Sequence, residues 1–256
     1  MKTNDLFPYS FKALHEQLGH RPHTSIVERM RSDRSMFCQA LVGNALMTAE
    51  QMSRAADRYR LGITRDGGVI FWQIDRQGTV RDGKIMFYRP DCHRDHSRHP
   101  SWASARLVQQ GLLPAGFQAQ RCLFGLHLLG NEERRVKNEE SRPAVCVVES
   151  EKTAVIMSEV FSGYVWMACG GLTNLNAALL QPLEGYEVIL FPDTDPEGKA
   201  YQTWRGVAEA TSDVMGQPVY VSDLLERSAT AAQKAAKIDL VDYLFDGHPE
   251  PKIACL

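Results

Sequence analysis

The rhythm of hydrophobic and polar positions changes twice along this chain. Early on, apolar residues recur three or four apart: Met36, Phe37, Ala40 and Leu41, then Met52, Ala55, Ala56 and Tyr59. That spacing lines one face of a helix in each case. Ser25-x-x-Glu28 and Thr48-x-x-Gln51 both fit the capping box, in which two ends of the first turn satisfy each other's backbone, and Gly62 reads as a helix stop. From Gly67 to Pro90 the period shortens. GGVIFWQIDRQGTVRDGKIMFYRP predicts a small antiparallel meander with strands at Val69–Ile74, near Val80 and at Lys84–Tyr88, turning at Asp75–Gly78 and at Asp82-Gly83. Residues 91–143 read as irregular and polar. NEERRVKNEESRP, Asn131 to Pro143, has the composition of an exposed connector, so two regions are expected, 1–141 and 142–256.

Past the connector the rhythm becomes strand, helix, strand. AVCVV (144–148) precedes a helix from Glu151, and YVWM (164–167) precedes a Gly170-Gly171 turn and a helix around Leu175–Leu180. VILF (188–191) precedes a helix over Lys199–Thr211, and PVYV (218–221) follows. Short β-rich runs alternating with helices predict an α/β fold whose parallel sheet is flanked by helices, preceded by the helical and small antiparallel region.

Composition adds little, because 44% hydrophobic and 23% charged residues are ordinary for a soluble globular protein. The first twenty residues carry Lys2, Asp5, Lys12 and Glu16 with no apolar core of a signal peptide, and no apolar run approaches the roughly 18 residues of a membrane span. Six cysteines without a CxxC pair fit reduced thiols, so a cytoplasmic location is expected. The run CHRDHSRHP, with Cys122 further on, lacks the clean ligand spacing of a zinc site. Charge is more informative. Residues 1–141 hold 21 Lys and Arg against 15 Asp and Glu, whereas residues 142–256 hold 8 against 16, so a net +6 adjoins a net −8. A basic part beside an acidic part suits a polyanion-binding surface next to a metal-binding one, and equally suits two ordinary solvated surfaces.

The acidic part has a distinct grammar. One strand ends in Glu149, and VILFPDTDPEG ends in Asp193 and Asp195. Ligands of open α/β sheets gather beyond the carboxyl ends of the strands, so these three carboxylates are expected on one edge. Residues two apart on extended chain point the same way, which lets Asp193 and Asp195 share a ligand. Carboxylates without His or Cys favour Mg²⁺, with Mn²⁺ able to replace it. An EF-hand reading fails at its last ligand, where Trp204 stands. An aspartyl-phosphatase reading leaves Glu149 unused. Turn and helix-cap roles for the two aspartates remain the structural alternative.

The blocks VVESEKTAVIMSE, ACGGLTNLN and VILFPDTDPEGKAYQTW resemble the three blocks of a Toprim domain, the metal-binding fold of bacterial primases, topoisomerases and some nucleases. The resemblance covers roughly residues 143–245 and is closest to Toprim proteins of phages and mobile elements. It implies metal ligation and catalysis by Glu149, Asp193 and Asp195. IDLVDYL (238–244) is similar to the last acidic motif of primase-like members, which adds Asp239 and Asp242 to the metal candidates. One departure is Ser150, where the family often has Gly. GVIFWQIDRQGTV (68–80) resembles the basic subdomain that precedes Toprim in primase cores. Arg76, Arg81, Lys84 and Arg89, interleaved with Trp72, Phe87 and Tyr88, suit a surface that holds a phosphate backbone, and Lys152 is a further phosphate contact candidate. The resemblance thus implies Mg²⁺-dependent, primase-like nucleotidyl transfer with single-stranded DNA and nucleoside triphosphates as partners, and a replicative helicase alongside. The alternatives are a Toprim nuclease and a non-catalytic nucleic-acid-binding module.

Overall fold

The structure, a computed structural model, describes residues 24–132 and 143–246. The chain divides into two compact units, one ending at Cys122 and the other starting at Leu123. Most of the connector expected to hold the boundary, residues 133–142 of Asn131–Pro143, lies outside the described residues.

Among the described residues, the first unit begins with three helices: α1 (Thr24–Met30), α2 (Met36–Gly43) and α3 (Ala49–Tyr59). Thr48 and Gln51 form the expected capping box at the start of α3. Ser25 instead lies inside α1, whose described first residue is Thr24. The stop of α3 is Arg60 in the left-handed region, and Gly62 belongs to the strand that follows. An antiparallel sheet then runs in the order β1 (Gly62–Ile63), β2 (Val69–Ile74), β3 (Val80–Met86), β4 (Ser101–Trp102).

Asp82-Gly83, expected to turn the chain, sits in the middle of β3. Gly83 faces Trp72 across the sheet, where a Cβ would come within 2.7 Å of the indole, so the glycine is there for close approach. Asp82 is fully buried and accepts the Ser104 N–H and hydroxyl at 3.0 and 2.9 Å, anchoring helix α4 (Ala103–Gln109). The supposedly irregular stretch after residue 91 therefore supplies β4 and α4. Trp72, Ile70, Ile74, Ile85, Phe87 and Leu107 share one core with α1. On the opposite face of β2, Phe71 packs against Phe37 and Tyr88. Both faces of β2 are covered, and all six of its residues are buried.

The second unit is a parallel sheet flanked by helices. Its strands are β5 (Val145–Val148), β6 (Val165–Ala168), β7 (Val188–Phe191) and β8 (Val219–Val221), in the spatial order β6-β5-β7-β8. Every residue of β5 is buried, as expected of a central parallel strand covered on both faces. Before them comes α5 (His127–Glu132), and Phe124 exchanges two backbone hydrogen bonds with Ala168, occupying the outer edge of β6. Helix α6 (Glu151–Val160) joins β5 to β6. A short α7 (Ala177–Leu180) lies on the way to β7, and the long α8 (Lys199–Met215) joins β7 to β8. Ala200, Trp204, Ala208, Thr211 and Met215 form the buried stripe of α8, at helical spacing. Three short helices finish the described chain: α9 (Leu224–Ser228), α10 (Ala231–Ala236) and α11 (Leu240–Phe245), the last packed against α6.

Candidate functional site

The crossover from β5 leads to β6 on one side, and that from β7 leads to β8 on the other. This makes the β5–β7 seam a topological switch point, the place where an open α/β sheet offers a crevice. Val148 is in register with Phe191, so Glu149 and Asp193 leave neighbouring strands almost side by side. The loop after β6 braces this edge. Gly170 donates its N–H to the Glu149 carbonyl at 2.9 Å, and Cys169 donates to that of Val148 at 3.1 Å. Gly170 has φ 81° and Gly171 φ 155°, a path the chain takes readily because neither residue carries a Cβ. Ser150 caps α6 by accepting the Lys152 N–H.

On the β7 side, Thr194 is the anchor. It is buried, donates its N–H to the Ile238 carbonyl at 3.1 Å and its hydroxyl to Glu226 at 3.2 Å. Glu226 is in turn held by the Lys234 ammonium at 2.9 Å. Tying Thr194 to Ile238 carries Asp239 to the same edge. Asp239 begins α11 with a capping box: its carboxylate accepts the Asp242 N–H at 2.8 Å, while the Asp242 carboxylate accepts the Asp239 N–H at 3.2 Å. The other Asp239 oxygen accepts the Thr153 hydroxyl at 2.7 Å and lies 3.4 Å from the Lys152 ammonium.

The electrostatics separate the two aspartates that the sequence paired. Asp193 is pushed well above the usual carboxylate range, first by burial, then by Asp239 and Glu149, with Lys152 opposing. Asp195 moves the other way. Its partial burial is outweighed by the Ala200, Glu197 and Lys199 backbone N–H groups and by Lys237. Its two oxygens accept the Glu197 N–H at 3.0 Å and the Ala200 N–H at 2.8 Å, so its carboxylate closes the turn into α8. Asp239, though buried, is held below the usual range by Lys152, the Asp242 N–H and Thr153.

Glu149 and Asp193 therefore come together, with Asp239 and Asp242 behind them on Lys152. Asp195, expected beside Asp193, turns both oxygens to its own backbone, accepting the Glu197 and Ala200 N–H groups. Lys152, expected on phosphate, is directed to Asp239 and Asp242, and its ammonium is raised chiefly by Asp239. Among the described residues no three His, Cys, Asp or Glu side chains gather closely enough to cage a metal ion by themselves.

In the first unit the expected basic residues are dispersed. Arg81 donates to buried Asp75 at 2.7 Å, and Arg89 pairs with exposed Asp91. Arg76 lies in the β2–β3 turn, and Lys84 is half-buried on β3. The rings expected to stack bases are otherwise occupied: Trp72 and Phe87 are in the core, and Tyr88 packs on Phe37. Sequence spacing gave no sign of the pairs that do form, Arg121 stacked 3.6 Å above Trp102 and Arg98 3.4 Å above Phe87. Both arginines lie in the stretch that reads as irregular.

No curated protein matches the sequence. Among solved structures, the primase fragment of the bacteriophage T7 primase-helicase protein is similar at 18% identity, covering 66% of this chain with a TM-score of 0.39, and this chain spans 59% of that fragment. A likeness that loose transfers neither a residue nor an activity. The sequence from Ser35 through Thr194, more than half of the chain, matches one family, and it takes in β5, Glu149 and Asp193. On that match the chain belongs to the family described as Domain of unknown function (DUF6371).

Proposed function

We propose that this protein is a primase-like Toprim protein that holds Mg²⁺, or Mn²⁺ in its place, against Glu149 and Asp193 and transfers nucleotides on a single-stranded DNA template. The observation that carries the reading is the meeting of these two carboxylates at the switch point, where burial and neighbouring acids work against ionisation of Asp193. Such a group gains a reason to be there once a cation balances it. The donor set suits Mg²⁺, which commonly takes one or two carboxylates and completes its shell with water and substrate phosphate. When bound, the ion would supply charge neutralisation for the triphosphate. Glu149, beside the N-terminus of α6, would accept a proton from an attacking hydroxyl. Asp195 and Thr194 hold the loop so that Asp193 keeps its position.

Arg76, Arg81, Lys84 and Arg89 are the proposed contacts to the DNA backbone. The exposed Arg89–Asp91 pair contributes little to stability, so Arg89 can exchange Asp91 for a phosphate at small cost. Replication of a phage or mobile element, with a helicase as partner, is the setting this chemistry fits.

Two experiments test the proposal. Calorimetric Mn²⁺ titration should show binding by wild type and its loss in Asp193→Asn; equal binding by both overturns the metal site. Incubation with single-stranded DNA, labelled nucleoside triphosphates and Mg²⁺ or Mn²⁺ should give extension that Glu149→Gln abolishes. Cleavage without extension would favour a nuclease using the same carboxylates. In parallel, DNA affinity should fall steeply with salt, with a log–log slope that shrinks when Arg81, Lys84 and Arg89 are neutralised.

A further inference from the structure

The acidic edge already contains a cation. The Lys152 side chain, largely buried, reaches from the first turn of α6 to 3.4 Å from the Asp239 carboxylate and 3.8 Å from that of Asp242. Both oxygens of Asp239 are engaged there: one takes the Asp242 N–H, and the other takes the Thr153 hydroxyl beside the ammonium. Thr153 and Lys152 are consecutive on α6, so one helix turn commits this carboxylate from two directions. Asp242 caps the Asp239 N–H in return. Glu149 and Asp193 leave β5 and β7 on the strand side of this arrangement. We infer that Lys152 is the resident counter-ion of the acidic edge and sorts its carboxylates, withholding Asp239 and Asp242 from a divalent cation and leaving it Glu149 and Asp193.

Two consequences follow from Coulomb's law. The ammonium repels an arriving divalent cation, so Glu149 and Asp193 bind it more weakly than they would without the lysine. It also eases the repulsion at this edge when no divalent cation is present, since Asp193 lies within reach of the Asp239, Glu149 and Asp242 charges and Lys152 opposes them.

This inference rests on the metal-binding reading above, and one titration separates the two. The full chain, stripped with EDTA, is titrated calorimetrically with Mn²⁺ alone as wild type, Lys152→Gln, Lys152→Arg and Lys152→Gln with Asp239→Asn. Removing the charge should tighten binding by at least about tenfold, because the repulsion goes and Asp239 becomes available. Lys152→Arg, which keeps the charge, should stay near wild type, and the double variant should lose most of the gain. Lys152→Gln should also melt lower than wild type in EDTA and recover on adding Mn²⁺. Wild-type binding with no gain in Lys152→Gln overturns the inference and leaves the metal reading standing. Binding by Lys152→Gln but not by wild type supports the inference and overturns the metal reading for the native chain. Binding by neither overturns both. If Lys152→Gln is too unstable to purify folded, its refolding is compared in Mn²⁺ and in EDTA: recovery only with Mn²⁺ supports the role, and failure in both overturns it.

Discussion

Asp193→Asn should make the metal-free protein more stable at neutral pH, by an amount that grows as the pH rises. Asn keeps nearly the shape of the side chain and removes its ability to ionise. In the folded chain the Asp193 carboxyl is raised well above its ordinary value by burial, Asp239 and Glu149, whereas in the unfolded chain it titrates near 3.9. Between those two values the folded state binds the proton more tightly than the unfolded one. Unfolding then releases protons, and wild-type stability falls with rising pH at up to about 1.4 kcal/mol per pH unit. Above the folded-state value the loss is complete and the curve levels. Asp239 has the opposite linkage, because its carboxyl is depressed: its contribution is lost only as pH falls below about 3.9, outside this window. Urea unfolding of both proteins in EDTA, followed by tryptophan fluorescence from pH 4.5 to 8, measures the difference directly. The stability of Asp193→Asn relative to wild type should climb with pH and level only above the folded-state value. A flat difference, or a variant less stable than wild type at pH 8, would refute the claim that Asp193 is held against ionisation.

Asp195→Ala should cost about 1–2 kcal/mol, since the Glu197 and Ala200 N–H groups lose their acceptor at the start of α8, while Mn²⁺ binding persists; urea midpoints and calorimetry check the two halves. Gly83→Ala should cost about 1–3 kcal/mol, because its Cβ would come within 2.7 Å of the buried Trp72 ring, and a shifted urea midpoint at unchanged slope would show it. Burial pushes the Cys38 thiol up to about 11 and those of Cys122, Cys146 and Cys169 to about 12. All four should therefore resist thiol reagents at pH 8 until urea unfolds the chain, as peptide mass spectrometry after labelling would record.

The sequence alone determined what local periodicity and strand-end chemistry can encode. The buried run of β5 needs only four apolar residues in a row, the start of α3 needs only Thr48 and Gln51, and the stripe on α8 needs only its own spacing. The position of Glu149 and Asp193 at the ends of neighbouring strands was legible for the same reason, since a carboxylate following a parallel strand has one edge to go to. What a side chain does next depends on neighbours remote in sequence, and there only the tertiary structure decided. Asp82-Gly83 has the chemistry of a turn, yet it runs through β3 because Trp72 needs an empty Cβ opposite and Ser104 supplies the donors for a buried carboxylate. Alternation along an extended strand aligns Asp193 with Asp195, but β7 ends at Phe191 and the chain then bends to cap α8. The partners of Lys152 lie on α11, far along the chain, and reach it because Thr194 ties Ile238 to the end of β7. Hydrophobic pattern specifies which face of an element is buried; which charges then meet is set by the packing of elements whose order in space differs from their order in the chain.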